Sequence, residues 1–432
     1  MIISTMDKKN KFTAKFVDFS QDKLYRNLKP SQKTFIKTMG ESYQLTFQEL
    51  RQLTEMTTDF NMWGESTIED QWNEAALGQI TSNSQSKKII LKNIRNHWST
   101  LKASPTQYGP TASTVKNPVR KMQNNLGEND VYGDCPVASD KTICCNLKTI
   151  DAIQGCGLGC SYCSIQTFYE DGAIGIEGNL KEKLDQVELD PNRNYHIGSG
   201  QSSDSLAMGN RNGVLDAQLN FARKHPNIIL EFKTKTKNVD HFLKADIPSN
   251  VFVCWSLNPQ VIIDHEEHFT ASLEQRLHGA RQLADKGVIV GFHFHPIVHY
   301  KGYEKDYEKI VDTILNIFSS EEIGMISLGT LTFIKPAIKN LRTLGISSKV
   351  LQIPLEDAAG KRSYSMTTKE EIFRTVYHAF RPWHKKVFFY FCMEDRKLWE
   401  SVMGTCYKSN DEFEDALFTS VTAKMDAGST KV

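Results

Sequence analysis

The spacing of apolar residues changes near residue 148. Before it, apolar positions recur at helical intervals in FQELRQLTEM (47–56) and SKKIILKNIRNHWSTL (86–101), joined by stretches rich in Ser, Thr, Asn and Pro. Residues 1–135 therefore read as a helical, partly loose N-terminal region. After residue 148, short β-rich runs alternate with helical segments, the signature of βα units around a parallel sheet or barrel. TIDAIQ (149–154), YHIGS (195–199), IILEFKT (228–234), VFVCWSL (251–257), VIVGFHFHP (288–296) and MISLGTLTF (325–333) read as six strands. The helices between them are predicted over 214–225, 238–245, 272–287 and 303–318. The expectation is an α/β fold, a partial (β/α)6 TIM-like barrel over 136–345, followed by a small α/β extension over 346–432. That extension is expected to carry a helix near 368–380, a strand VFFYFC (387–392) and a helix around EDRKLWESVMG (394–404).

Composition adds bounds rather than a function. The 432 residues are 40% hydrophobic, enough for a sizeable core, and 52 Lys and Arg nearly cancel 51 Asp and Glu. Charge becomes informative only locally: from Ala75 to Gly127 there is no acidic residue, while Lys87, Lys88, Lys92, Arg95, Lys102, Lys116, Arg120 and Lys121 are all basic. Such a stretch suits a phosphate backbone, and equally a solvated face balanced by acids packed elsewhere. The apolar start MII is too short for a signal-peptide core and no run approaches a membrane span, so a cytoplasmic protein without membrane contact is expected. Nine cysteines in such a chain point to reduced thiols and metal ligands rather than a disulfide framework.

Three of those thiols are clustered in GCGLGCSYC, where Cys156, Cys160 and Cys163 have the spacing C-x3-C-x2-C. Thiolates on a glycine-rich loop can wrap a polynuclear iron–sulfur cluster, whereas tetrahedral zinc needs a fourth ligand that this loop does not supply. Three ligands on a 4Fe-4S cluster leave one iron open. The spacing, set after the first strand of a βα series, resembles the radical S-adenosylmethionine (SAM) superfamily, in which the open iron chelates SAM and the substrate is attacked by a 5'-deoxyadenosyl radical. Downstream, SSDS (202–205), TKTKNVDHF (234–242), WSLNP (255–259), QRLHGARQLADKG (275–287), GFHFHPI (291–297) and FIKPAIK (333–339) look like the spore photoproduct lyase family over roughly residues 145–345. The resemblance implies a radical SAM barrel, SAM contacts from Lys235, Ser256, Asn258 and Ser202, cleavage of a methylene-bridged thymine dimer, and an electron donor such as flavodoxin or ferredoxin. Nucleic acid is the substrate it suggests. Other readings are radical modification of a base, peptide or metabolite, and a non-catalytic iron–sulfur redox module.

The family's motif also has a cysteine directly before its T-S-D segment, where this chain has Gln201, and tyrosines on both sides of the third cluster cysteine, where it has Tyr162 and Ser164. The thymine-dimer reaction is thus implied less strongly than the cluster and the SAM pocket. Cys254, two residues from Ser256 and on the same strand face, is a candidate radical partner alongside Tyr162. His293 and His295 share a face opposite Phe292 and Phe294; if the phenylalanines pack on helices, the histidines face the interior and, with Gln201, are candidates for substrate contact. A metal at the two histidines lacks a third ligand nearby in sequence. Cys135, Cys144 and Cys145 invite an auxiliary cluster whose fourth ligand would come from Cys392 or Cys406.

Overall fold

The computed structural model describes residues 2–77, 83–110, 112, 115, 120–127, 130–135, 142–164, 173–200, 203–358 and 360–429. The chain forms two compact units, 1–115 with 334–354, and 116–333 with 355–432. In the first unit, helices α1 (Ile2–Phe19), α2 (Lys23–Asn27), α3 (Pro30–Tyr43), α4 (Phe47–Trp63), α5 (Ile68–Ala76) and α6 (Asn83–Ala103) are joined by a later helix, Lys335–Thr343. The first helix boundary of α4 is written in the sequence: the Thr46 hydroxyl accepts from the Glu49 N–H while the Glu49 carboxylate accepts from the Thr46 N–H. Its apolar face, Leu50, Leu53, Met56, Phe60 and Trp63, is buried.

The second unit is built on an eight-stranded sheet. Its strands are β2 (Tyr132–Asp134), β3 (Lys148–Ile150), β6 (Tyr195–Ser199), β7 (Ile228–Thr234), β8 (Val251–Ser256), β9 (Val290–Ile297), β10 (Ile323–Thr330) and β14 (Phe388–Phe391). They lie in the order β14-β10-β9-β8-β7-β6-β3-β2, with every neighbouring pair parallel except β2 with β3. The outer strands β14 and β2 do not pair, so the sheet is a curled half-barrel. Two three-stranded sheets flank it: β1 (Lys121–Asn125) with β5 (Ala173–Glu177) and β4 (Ile153–Gln154), and β11 (Thr332–Phe333) with β13 (Lys361–Ser363) and β12 (Glu356–Ala358).

Three expectations change. The run 149–154 is two strands, because Lys148–Ile150 pairs with β6 whereas Ile153–Gln154 turns away to pair with β5. The C-terminal segment is part of the main sheet: Phe388–Phe391 aligns beside Met325–Leu328 as a seventh parallel strand, and a helix over Asn410–Ser429 buries Phe413, Leu417 and Val421. Finally, 334–354 groups with the N-terminal helices and β1 and β2 with the second unit, so the units do not follow the boundaries at 135 and 345. Among the described residues, no helix is long and apolar enough to cross a membrane.

What holds 334–354 to the N-terminal helices is a buried ion pair. Asp59 on α4 is fully buried and accepts from Arg342 Nε at 2.7 Å, from Arg342 Nη2 at 2.8 Å and from Trp98 Nε1 at 3.0 Å. Removing the guanidinium leaves an uncompensated carboxylate in the core, so Arg342→Met is expected to cost about 3–5 kcal/mol. Arg281→Met, which breaks half-exposed pairs with Glu322 and Asp285, should cost about 1 kcal/mol or less. Urea unfolding of the two full-length variants checks the difference; equal midpoints would contradict it.

Candidate functional site

The three-cysteine loop follows β4 and is fastened by backbone bonds to the end of α10 (Gln260–Glu266) and the residues just after it. The Ser161 N–H donates to the Glu266 carbonyl at 2.8 Å, the Phe269 N–H to the Leu158 carbonyl at 3.1 Å, and Cys160 pairs antiparallel with Glu267. Gly159 is needed at its position, since its φ is +64° and a Cβ there would meet the Phe269 ring at 2.9 Å. Cys160 is buried, whereas Cys156 and Cys163 are partly exposed. Burial pushes the Cys156 thiol up to about 12, helped by the Asp204 charge, and raises Cys160 as well, against the pull of the Lys235 ammonium. Such thiols ionise when a metal takes the proton's place. Three sulfurs on one tight loop with no fourth thiol in it fit a cluster with one iron left free.

The same loop carries Tyr162 into a buried network centred on Glu267. Glu267 Oε1 accepts from the Tyr162 hydroxyl, from Asn258 Nδ2 at 2.8 Å and from Lys235 Nζ at 3.0 Å. Arg276, fully buried on α11 (Leu273–Asp285), donates to Oε2 and, at 2.8 Å, to the Ser256 carbonyl. Burial alone would raise the pKa of Glu267, but Arg276 and Lys235, with the Tyr162 and Asn258 bonds, hold it well below the usual carboxylate range. Lys235 also donates to Tyr162 at 3.0 Å and to Ser256 Oγ at 2.8 Å, which uses all three of its protons. Tyr307 on α12 (Tyr303–Ile317) closes the set by donating to Asn258 Oδ1 at 2.7 Å.

The sequence therefore picked four members of one network, Tyr162, Lys235, Ser256 and Asn258, and missed its centre. Glu267 lies in DHEEHF, which reads as a solvated charged turn. Arg276 had a signal: it sits on the apolar stripe of α11 with Ala280 and Leu283, where an arginine needs a buried partner. Beside the network, Asp204 accepts at 2.7 Å from the Lys235 N–H and at 2.9 Å from Thr234 Oγ1, which fixes the turn after β7.

Cys254, His293 and His295 belong elsewhere in the interior. Phe292 packs on Phe318 and Phe294 on Phe380, leaving both histidines on the inner face. His293 bonds Glu231 and Ser327, Cys254 is fully buried beside Glu231, and neither touches Tyr162. Burial lowers His295 to about 3, so it is neutral at physiological pH. Gln201 and Ser202 lie outside the described residues. Ser164 directs its hydroxyl to the Thr332 carbonyl at 3.5 Å. Of the remaining thiols, Cys144 bonds its neighbour Cys145, which lowers Cys144 to about 6 and raises Cys145; Cys135 and Cys392 lie close enough to add to the latter, whereas Cys406 stands apart beside Arg396.

Comparison with known proteins agrees with this geometry. The family model described as spore photoproduct lyase matches residues 145–357. The spore photoproduct lyase of Clostridium acetobutylicum is 22% identical over 221 residues, covering 48% of this chain and 62% of the relative. That of Bacillus subtilis is 26% identical over 165 residues, covering 37% and 48%. The chain thus spans about half to three-fifths of the length of these curated relatives. A solved spore photoproduct lyase complexed with dinucleoside spore photoproduct superposes with a TM-score of 0.53 at 20% identity, over 62% of this chain and 82% of the other. A variant of that lyase solved with bound AdoMet and the dinucleoside gives 0.52. Residues 145–357 thus match the spore photoproduct lyase family.

Proposed function

We propose that this protein is a radical SAM enzyme of the spore photoproduct lyase type, with Cys156, Cys160 and Cys163 holding a 4Fe-4S cluster and Lys235, Ser256 and Asn258 holding SAM. The observation that carries the reading is the Glu267 network, which ties the cysteine loop to the very strand ends from which the SAM contacts are expected. When bound, such a cluster supplies the electron that splits SAM into methionine and a 5'-deoxyadenosyl radical. The chain's own residues do the positioning. Tyr162 pins the loop, and Glu267 with Arg276 orients Lys235 without a free negative charge facing the ligand. Because all three Lys235 protons are engaged, a SAM carboxylate gains the ammonium by exchange, and the neutral Ser256 hydroxyl is the partner most cheaply released. Ser202 adjoins this pocket in sequence and is assigned with it; the reductant is a small electron carrier such as flavodoxin or ferredoxin.

The substrate we propose is a nucleic-acid lesion. The acid-free stretch supports this over a smaller surface than its charge count suggests. Lys87 is paired with Glu49 at 3.0 Å, and Lys102 donates to the Leu351 carbonyl and sits over the Trp98 ring. Lys88, Lys92 and Arg95 are exposed and recur on one face of α6; Arg95 donates to Gln52 Oε1 at 2.8 Å, a neutral partner that leaves its charge available to phosphates along with the two lysines. Lys116 lies outside the described residues. Gln201, standing where the family pattern has a cysteine, favours a second reading in which the same radical modifies a base without a cysteine donor at that position.

Anaerobic reconstitution with iron and sulfide, reduction and addition of SAM is expected to yield 5'-deoxyadenosine; an intact cluster without that product would sink the reading. Cys160→Ala should fail to retain iron. Lys235→Met should keep the iron but weaken SAM binding tenfold or more, which separates the pocket from the cluster. In DNA-binding titrations, replacing Lys88, Lys92 and Arg95 by glutamate should weaken affinity and flatten the log–log salt dependence by up to about 3. Unchanged binding would remove α6 as the contact surface. An oligonucleotide carrying the methylene-bridged thymine dimer is the first substrate to assay, and an unaltered lesion under turnover removes it.

A further inference from the structure

One layer below the Glu267 network, toward the strand N-termini, the half-barrel contains a second polar cluster that the proposed reaction does not use. Glu231 comes from β7, Cys254 from β8 and His293 from β9, three consecutive strands, all on the inner face and all buried. A carboxylate oxygen, the thiol sulfur and an imidazole nitrogen lie within 4.8 Å of one another. Tetrahedral zinc with bonds of 2.0–2.3 Å brings its ligand atoms to roughly 3.3–3.8 Å apart, so these three need only small shifts to enclose an ion.

The surroundings are those of a ligand set rather than of chance polar neighbours. His293 Nδ1 meets Ser327 Oγ, which leaves Nε2 turned toward Glu231. The other Glu231 oxygen is held by His196 Nε2 at 3.0 Å. His293 and Glu231 are thus each oriented through the far atom, as outer partners orient metal ligands. Room for the thiol is made by a glycine: on β9, Gly291 lies directly beside Cys254, and a Cβ there would stand 2.5 Å from the sulfur. A hydrogen-bonded relay running from His196 through Glu231 and His293 to Ser327 would be complete without Cys254. Burial first, and then Glu231, hold Cys254 as a neutral thiol bonded to the carboxylate, with the Lys233 ammonium pulling the other way. What the relay does not require is a sulfur at this position, within ligand distance of both the carboxylate and the imidazole.

We propose that Glu231, Cys254 and His293 bind one divalent transition-metal ion, zinc by their mixed O, S and N donors, in the core of the half-barrel. Binding forms a Cys254 sulfur–metal bond and releases the thiol proton to solvent. The site shares no side chain with the cluster cysteines or the SAM pocket, although His293 is the strand partner of Ser256. Three protein donors leave a fourth position for a water.

The test is metal analysis of the full-length protein, purified without chelators, as the parent and as the Cys156→Ala, Cys160→Ala, Cys163→Ala triple variant, in which cluster iron no longer contributes. About one equivalent of zinc per chain is expected in both. Adding Cys254→Ser or His293→Ala to the triple variant should lower it tenfold or more, whereas Cys392→Ser, at the other thiol group, should leave it in place. Cobalt(II) exchanged into the triple variant should show thiolate-to-metal charge-transfer absorption that vanishes with Cys254→Ser and persists with Cys392→Ser. That readout keeps the proposal testable if His293→Ala does not fold. Parent protein that carries less than a tenth of an equivalent of zinc and takes up no cobalt would overturn it, as would a full equivalent retained in the folded Cys254→Ser protein.

Discussion

The candidate site depends on how a single carboxylate is kept charged inside the protein. Glu267 has no exposure to solvent, and a lone ion there would cost several kcal/mol. Arg276 and Lys235 compensate it from two sides, and Tyr162 and Asn258 complete its coordination with neutral donors. Each of the four comes from a different stretch of chain: the cysteine loop, the end of β7, the turn after β8 and helix α11. One charge therefore sets the relative position of all four. Were Glu267 neutral, Arg276 would be a buried cation without an anion, and the Ser256 carbonyl that it also holds would lose its register with the loop.

This arrangement explains why the cysteine loop can be glycine-rich and still be placed accurately. Gly157 and Gly159 give a backbone that folds tightly but resists little. Stiffness comes from outside the loop, through the short antiparallel contact of 158–161 with 266–269 and through the Tyr162 hydroxyl. Tyr162 thus positions the loop through its hydroxyl. Its pKa is raised far above that of a free phenol by burial and by Glu267, which keeps the proton it donates.

How much of this was legible follows from which interactions are local. Strands β6 to β10 announce themselves because their apolar runs are bounded by turn residues and their partners are the next strands in sequence. The break between Ile150 and Ile153 is invisible locally: TIDAIQ alternates without interruption, and only the distant strand β5 pulls its second half away. β14 is likewise plain as a strand but not as a neighbour of β10, since nothing in FFYF says which edge it joins. In the site, spacing disclosed the cysteines, and the collinear motifs disclosed Lys235, Ser256 and Asn258. Glu267 stayed hidden because a carboxylate in a polar turn looks the same whether it faces water or a buried arginine.

The inner cluster shows the complementary limit. His293 and His295 alternate with phenylalanines, so their inward direction follows from strand geometry, and Phe292 and Phe294 do pack on elements outside the sheet. What sequence spacing could not supply was a third donor, because strands in a curled sheet bring together residues tens of positions apart. Glu231 was itself conspicuous, a charged residue in the middle of IILEFKT at an inward position, and a core carboxylate demands a cation or several donors. Taken singly, Glu231, Cys254 and His293 are three minor irregularities in three apolar strands. The register of those strands turns them into one cluster, with Gly291 vacating the space that the thiol occupies.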